Sequence, residues 1–403
     1  MLKILYALMM AISSSSKKAL PIGILIVLWL VGWTLRLPVL AAPPLATRIA
    51  STFDLTETGI AALTMLPIMA IAFGAILSSF IIVRLGIKKS IVMGMLIAII
   101  ASTLRGQVTS EFLLFLFSFF MGLGIALFQT ALPSATKELT PVYVGLANTI
   151  YLNGMMVGEL SGAGLTLPII MPLAEQNWRF ALIIWAIPML IIMILSMVVL
   201  VSKKSPVTHV PTFRDSLPKW NDKKIYQYGI LLGSSVISFY IINSFLVSLL
   251  EKRNEVYAVE GLLFAYNTMP IVASIIMLVA VKWIGYRTPV AISIILSSVG
   301  LIGFIFFDSW ISWLGALITG AAATIHLILM VSLSPAIATG NQIVKLSAGI
   351  TLIGFSISFI LPILGGWLAH YTGWLELALI PSLIFIMLSI LALGKEKRFP
   401  NYK

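Results

Sequence analysis

The chain contains one apolar run after another, each long enough to cross a bilayer. About 20 consecutive apolar residues span the hydrocarbon core as an α-helix. Helices and closed barrels alone satisfy every backbone polar group inside it. Such runs lie near residues 21–46, 57–83, 88–104, 112–136, 142–170 and 178–201, then 225–250, 259–282, 288–307, 310–336, 344–370 and 374–394. With 60% hydrophobic and 10% charged residues over 403 positions, a soluble fold is excluded. The expected class is an all-α membrane protein with twelve transmembrane helices.

The formal net charge of +12 suggests nucleic acid only until the charges are placed. Arg84, Lys88, Lys89, Lys137, Lys282, Arg287 and Lys345 fall in alternate connections, as do Lys203, Lys204, Arg214, Lys219, Lys223 and Lys224. The other connections keep Arg48, Arg105, Arg179, Lys252 and Arg253. Lys and Arg concentrate on the cytoplasmic side of membrane proteins. We therefore expect a multi-pass protein of the cell membrane with both termini cytoplasmic. Its partners are then the lipid bilayer and a solute, with no nucleic acid, and it works as a monomer. Residues 1–20 read as a retained cytoplasmic or interfacial leader, because no small-residue cleavage site precedes the first run.

Catalytic classes find no support. Three His and no Cys leave no metal cluster and no thiol chemistry. No glycine-rich phosphate loop of the Walker type is present, so ATP-driven pumping has no basis. No cofactor is expected.

The longest polar stretch, 202–224, carries Pro206, Pro211 and Pro218 and divides the runs six and six. It reads as a cytoplasmic linker between bundles at 1–201 and 225–403. The halves echo each other. Thr58-Gly59-Ile60 leads to Met65-Leu66-Pro67-Ile68, and Glu260-Gly261-Leu262 leads to Thr268-Met269-Pro270-Ile271. Gly158 and Trp178 match Gly354 and Trp374 at one offset. A shared order of weak matches is the mark of internal duplication.

Arg36 is the one charge between Pro21 and Ala46. An arginine at the centre of a span costs at least about 2.5 kcal/mol, so such residues have a partner or a task. A guanidinium grips a carboxylate or a similar planar anion through two nitrogens. Arg36 is thus either an anion anchor or half of an ion pair. Glu159 is the matching acid in the fifth run. Burial raises a carboxyl's pKa and a nearby Arg lowers it. It is either the carrier of a coupling proton or the static partner of Arg36 or Arg105.

A parallel duplication of six helices resembles the major facilitator fold. Arg84-Leu85-Gly86-Ile87-Lys88-Lys89 is similar to that superfamily's loop between spans two and three, although Val83 replaces the usual acid. A narrower resemblance is to cyanate- and nitroimidazole-transporter-like proteins. Thr34-Leu35-Arg36-Leu37-Pro38 and Pro44-Leu45 carry it in the first span, and Leu104-Arg105 at the end of the third. Gly122-Leu123-Gly124-Ile125-Ala126, Gln129, Leu132-Pro133-Ser134 and Lys137 carry it in the fourth, and Trp185-Ala186-Ile187-Pro188 in the sixth. Gly154, Gly158 and Gly162, with Gly145 upstream, also look like the fifth-span motif of proton-coupled exporters. Glu159 stands where that motif has Pro.

The resemblance implies a secondary transporter with spans 1, 4, 7 and 10 around a cavity. The expected solute is a small anion, with protons as the coupling ion. Arg36 would anchor the anion, and Glu159 would carry the proton. Further candidates are Gln129, Tyr240 and Asn243 on one face of span 7, and His326 on span 10, with Tyr266 and Asn267 on the side wall. Gln129 serves equally as an interhelical hydrogen bond, and His326 as a packed core histidine. Two other readings stand beside this one: an exporter of drugs or nitroaromatic compounds, and a membrane sensor or assembly protein that moves nothing.

Overall fold

The computed structural model describes residues 21–200, 217–218, 220–280, 283–337, 341–394 and 396–399. Residues 1–20 and most of the expected 202–224 linker lie outside the described residues. Twelve helical segments are long and apolar enough to cross a membrane: Ile22–Phe53, Glu57–Ser78, Ile87–Arg105, Glu111–Leu139, Leu146–Leu173 and Trp178–Val199, then Lys223–Lys252, Val256–Met277, Arg287–Phe306, Ser309–Leu333, Gly349–Thr372 and Leu375–Leu393. They are numbered spans 1 to 12 in that order. Among the described residues no strand forms; one antiparallel bridge joins Tyr286 to Arg398.

The sequence starts these helices with polar caps. Thr56 accepts a hydrogen bond from the Gly59 amide, and Ser110 from that of Leu113. Each relieves an amide that has no partner in its own first turn. Glu57 and Glu111 follow at the positive end of the helix dipole. Between spans 2 and 3 the chain turns on Gly86, whose φ of 81° suits a residue without a Cβ.

Helix packing repeats between the halves. Span 1 packs on spans 5 and 6, span 2 on span 4, and span 3 on spans 4 and 6. Span 7 packs likewise on spans 11 and 12, span 8 on span 10, and span 9 on spans 10 and 12. Small residues make the tight crossings in both copies. A Cβ on Gly94 would lie 2.7 Å from the Gly124 carbonyl oxygen, and one on Gly300 2.6 Å from that of Gly315. Gly158 meets span 1, and Gly354 meets span 7. The two residues matched in sequence therefore occupy equivalent crossings. Trp178 and Trp374 share an offset but not an environment: the first is 7% exposed, the second 69%.

The halves join through spans 2 and 11, through spans 5 and 8, and through span 7 against the end of span 1. These first two pairs exchange under the same pseudo-symmetry. Two polar contacts across the join share one end of the molecule. Thr47 Oγ1 donates to Glu251 Oε1 at 3.1 Å, and His370 Nδ1 lies 3.3 Å from Glu57 Oε2. Close packing seals the same end, where a Cβ on Gly366 would fall 2.6 Å from the Glu57 carbonyl oxygen.

Candidate functional site

Span 1 is not one continuous helix. It divides into Ile22–Thr34, Leu37–Leu40, the 3-10 turn Pro43–Leu45 and Ala46–Phe53. Pro38, Pro43 and Pro44 have no N–H for the i−4 carbonyl, so the ladder cannot run through them. Arg36 caps the short second segment at φ −117°, ψ −18°. Its guanidinium thus leaves the backbone at a break, as transporter ligand groups do on discontinuous helices. Arg105 ends the third helix, as its resemblance to a third-span end implies; it is not an outer-connection residue, for it is 0% exposed and donates from Nη1 to the Pro38 carbonyl oxygen at 3.1 Å. That side chain folds inward because the broken stretch of span 1 presents it with an acceptor.

Span 5 brings Glu159 to Arg36. Cβ atoms on Gly154, Gly158 and Gly162 would lie 2.2, 2.1 and 2.5 Å from the carbonyl oxygens of Trp29, Trp33 and Leu37. Glycines at four-residue spacing let two helices approach to backbone contact. Indole hydrogen bonds line the same seam: Trp29 Nε1 donates to Asn153 Oδ1 at 3.0 Å, and Trp33 Nε1 to Ser161 Oγ at 2.9 Å.

The centre is compact. Arg36 Nη1 donates to Gln129 Oε1 at 2.9 Å, and Arg36 Nε stands 3.8 Å from Glu159 Oε1. Arg36 and Glu159 are 6% and 7% exposed, so the pair is dry. At 3.8 Å the carboxylate is an ion-pair partner beyond hydrogen-bond length. Neither Gln129 nor Glu159 takes the guanidinium fork with two parallel bonds. From the other half, Tyr240 stands within electrostatic range of both Arg36 and Glu159. Spans 1, 4, 5 and 7 therefore converge on one charge pair.

The remaining predicted residues divide. Tyr266 stacks on Phe239 with ring centroids 5.2 Å apart, and its hydroxyl donates to the Phe239 carbonyl at 2.8 Å. It lies within electrostatic range of Glu159 and Tyr240. Asn243 and Asn267 are fully buried and face each other, with Asn267 Nδ2 donating to Asn243 Oδ1 at 3.0 Å. They tie span 7 to span 8. His326 is 1% exposed, its Nε2 meets no partner, and no described hydrogen bond joins it to the Arg36 group. Sequence reasoning missed Trp33, which packs edge-on to Trp185 at 6.1 Å, one turn from Arg36. Its i, i+3 spacing from Arg36 was the signal.

A family model described as Major Facilitator Superfamily matches residues 22–284. The chain belongs to that superfamily. Members are transporters, not enzymes, and this one moves a solute by alternating access. A relative from Escherichia coli (strain K12), the 2-nitroimidazole transporter, is 24% identical over 322 residues, 79% of this chain and 80% of its own. The fold matches that of a nucleoside transporter NupG mutant, with TM-score 0.74 and 15% identity over 92% of this chain and all of the other. It also matches a bacterial homologue of the human lysosomal transporter Spinster, inward-facing and unoccupied, with TM-score 0.71, 13% identity, and coverage of 93% and 97%.

Proposed function

We propose that this superfamily member carries a small anion with a planar pair of oxygens, and that Arg36 is its anchor. The observation that supports this is the Arg36 fork, buried between the halves yet gripped by neither Gln129 nor Glu159 with two parallel bonds. A carboxylate or nitrate would take that bidentate place. Glu159 then serves as the internal counter-ion and proton carrier: when the solute takes Arg36, the carboxylate gives up its partner and binds a proton. Tyr240 lets the second half sense which anion is in place. The charge pattern supports a cell-membrane protein with both termini in the cytoplasm.

A nitro group presents the same edge of two oxygens. The 2-nitroimidazole transporter relative and the glycines beside Glu159 therefore favour a second reading, export of nitroaromatic compounds through the same arginine. Proteoliposome flux decides both. Uptake of a small carboxylate or nitrate, driven by an inward proton gradient and lost in Arg36→Ala, supports the first. Movement of 2-nitroimidazole with no anion competition supports the second. No flux of any of these solutes through folded protein sinks both.

A further inference from the structure

Spans 9 and 10 border an open cavity away from Arg36. Its volume is ≈ 520 Å³, and Trp283, Pro289, Ile292, Leu296, Ala322 and Ile325 form most of its wall. Span 9 packs chiefly on spans 10 and 12, so it lies at the margin of the second half. Ile292 is 52% exposed and Leu296 44%, which in a span means contact with lipid. Among the described residues no charged side chain lines the slot; its polar groups are Tyr286, Thr288 and Ser293. A solute-binding site needs convergent polar groups, and this wall does not supply them. An acyl chain needs none.

The mouth of the slot is different. The chain's last described residues fold back beside it, against residues 285–287. The Arg287 amide donates to the Lys397 carbonyl at 3.1 Å, and the Phe399 amide to the Gly285 carbonyl at 3.0 Å. This pairing sets Arg398 against Tyr286, with its guanidinium 4.6 Å above the ring and hydrogen-bonded to the hydroxyl. Lys397 and Arg398 are exposed. Arg287 is 8% exposed; its guanidinium lies over Phe399 and donates from Nη1 to the Glu396 carbonyl at 3.2 Å, while its Nε has no partner. Among the described residues, an apolar slot within the spans, lined by Trp283 and Tyr286, thus adjoins three cations, Arg287, Lys397 and Arg398, against the single acid Glu396. Aromatic residues of this kind sit at headgroup level, and basic pockets between spans bind anionic headgroups.

The geometry points to a binding site for one anionic phospholipid, with an acyl chain between spans 9 and 10 and its phosphate against Arg398 and Arg287. The headgroup would pin the returning chain to the start of span 9.

Brominated acyl chains test this, because they quench a tryptophan only on contact. The purified full-length protein, and its Trp283→Phe variant as the blank, are reconstituted with increasing brominated phosphatidylglycerol or brominated phosphatidylcholine. The Trp283 component should be quenched at about fivefold lower mole fraction of the anionic lipid. Arg398→Gln should remove that preference, and Arg398→Lys should keep most of it. Native mass spectrometry should find one retained phosphatidylglycerol, lost in Arg398→Gln. Equal quenching by the two lipids, or a preference indifferent to Arg398→Gln, overturns the proposal and leaves a slot filled by bulk lipid.

Discussion

A guanidinium inside a membrane protein is defined by what it declines to bind. Arg36 keeps Gln129 at 2.9 Å and Glu159 at 3.8 Å, a loose hold for so buried a charge. If the solute supplies the missing pair of bonds, Arg36→Lys retains the charge and loses the planar fork. Affinity should then fall roughly 10- to 100-fold, the worth of a charged hydrogen bond at about 1.5–3 kcal/mol. Isothermal calorimetry on folded protein checks it, and unaltered binding by Arg36→Ala removes Arg36 from the site. Glu159→Gln mimics the protonated carboxyl. As proton carrier, Glu159 should be dispensable for solute exchange between compartments of equal pH and required for accumulation driven by a proton gradient. As a static brace, both modes should fail together, because the arginine is left unpaired. These two residues were readable in the sequence because a lone charge in an apolar run stands out. Asn243 and Asn267 were readable as polar, but not as each other's partner. That pairing depends on how spans 7 and 8 are rotated, which no local pattern encodes.

At the level of the helix, backbone proximity between spans 1 and 5 positions the charges. Gly158→Ala places a methyl 2.1 Å from the Trp33 carbonyl oxygen, so the helices must part. Overpacking of this kind costs about 1–3 kcal/mol, and thermal unfolding in detergent should start several degrees lower. Gly23→Ala, with nothing within 4 Å, serves as the control and should leave unfolding unchanged. Equal behaviour of the two variants would mean the seam is soft. Helix count and limits were legible because bilayer thickness sets a length that apolar runs either meet or miss. The seam was legible only as a spacing of glycines. The duplicated contacts of Gly94 with Gly124 and of Gly300 with Gly315 escaped notice, since the glycines of each pair lie on different helices and share no local motif. The acceptor of Arg105 escaped for another reason: an inward arginine suggests an acid such as Glu159, and a backbone carbonyl freed by a broken helix, that of Pro38, leaves no mark in the sequence.

Across the whole molecule, the two halves are fastened at one end. Thr47 meets Glu251 there, and Glu57 meets His370. Alternating access requires that end to open. The chain has no cysteine, so Glu57→Cys with His370→Cys introduces the sole thiol pair. Bridging it with a short bifunctional reagent should abolish nearly all flux, and each single variant treated alike should stay active. Full activity in the bridged protein would place the moving gate elsewhere. Span 1 belongs to both sides of this motion. Its first part is zipped to span 5 by glycines, while its last part, Ala46–Phe53, leans on spans 2 and 7. The 3-10 turn Pro43–Leu45 separates the two parts, and Arg36 sits at the break just before it, between Thr34 and Leu37. A rod would have to tilt as one piece, whereas this span can bend like a wrist, and if Arg36 anchors the cargo it holds it near the joint. Loading and occlusion then become one mechanical event, with no separate lid to wait for. Spin labels at Ile26 and Ser51, on either side of the bend, should change separation when a bound solute is added; a fixed distance would mean that span 1 moves as a straight strut after all.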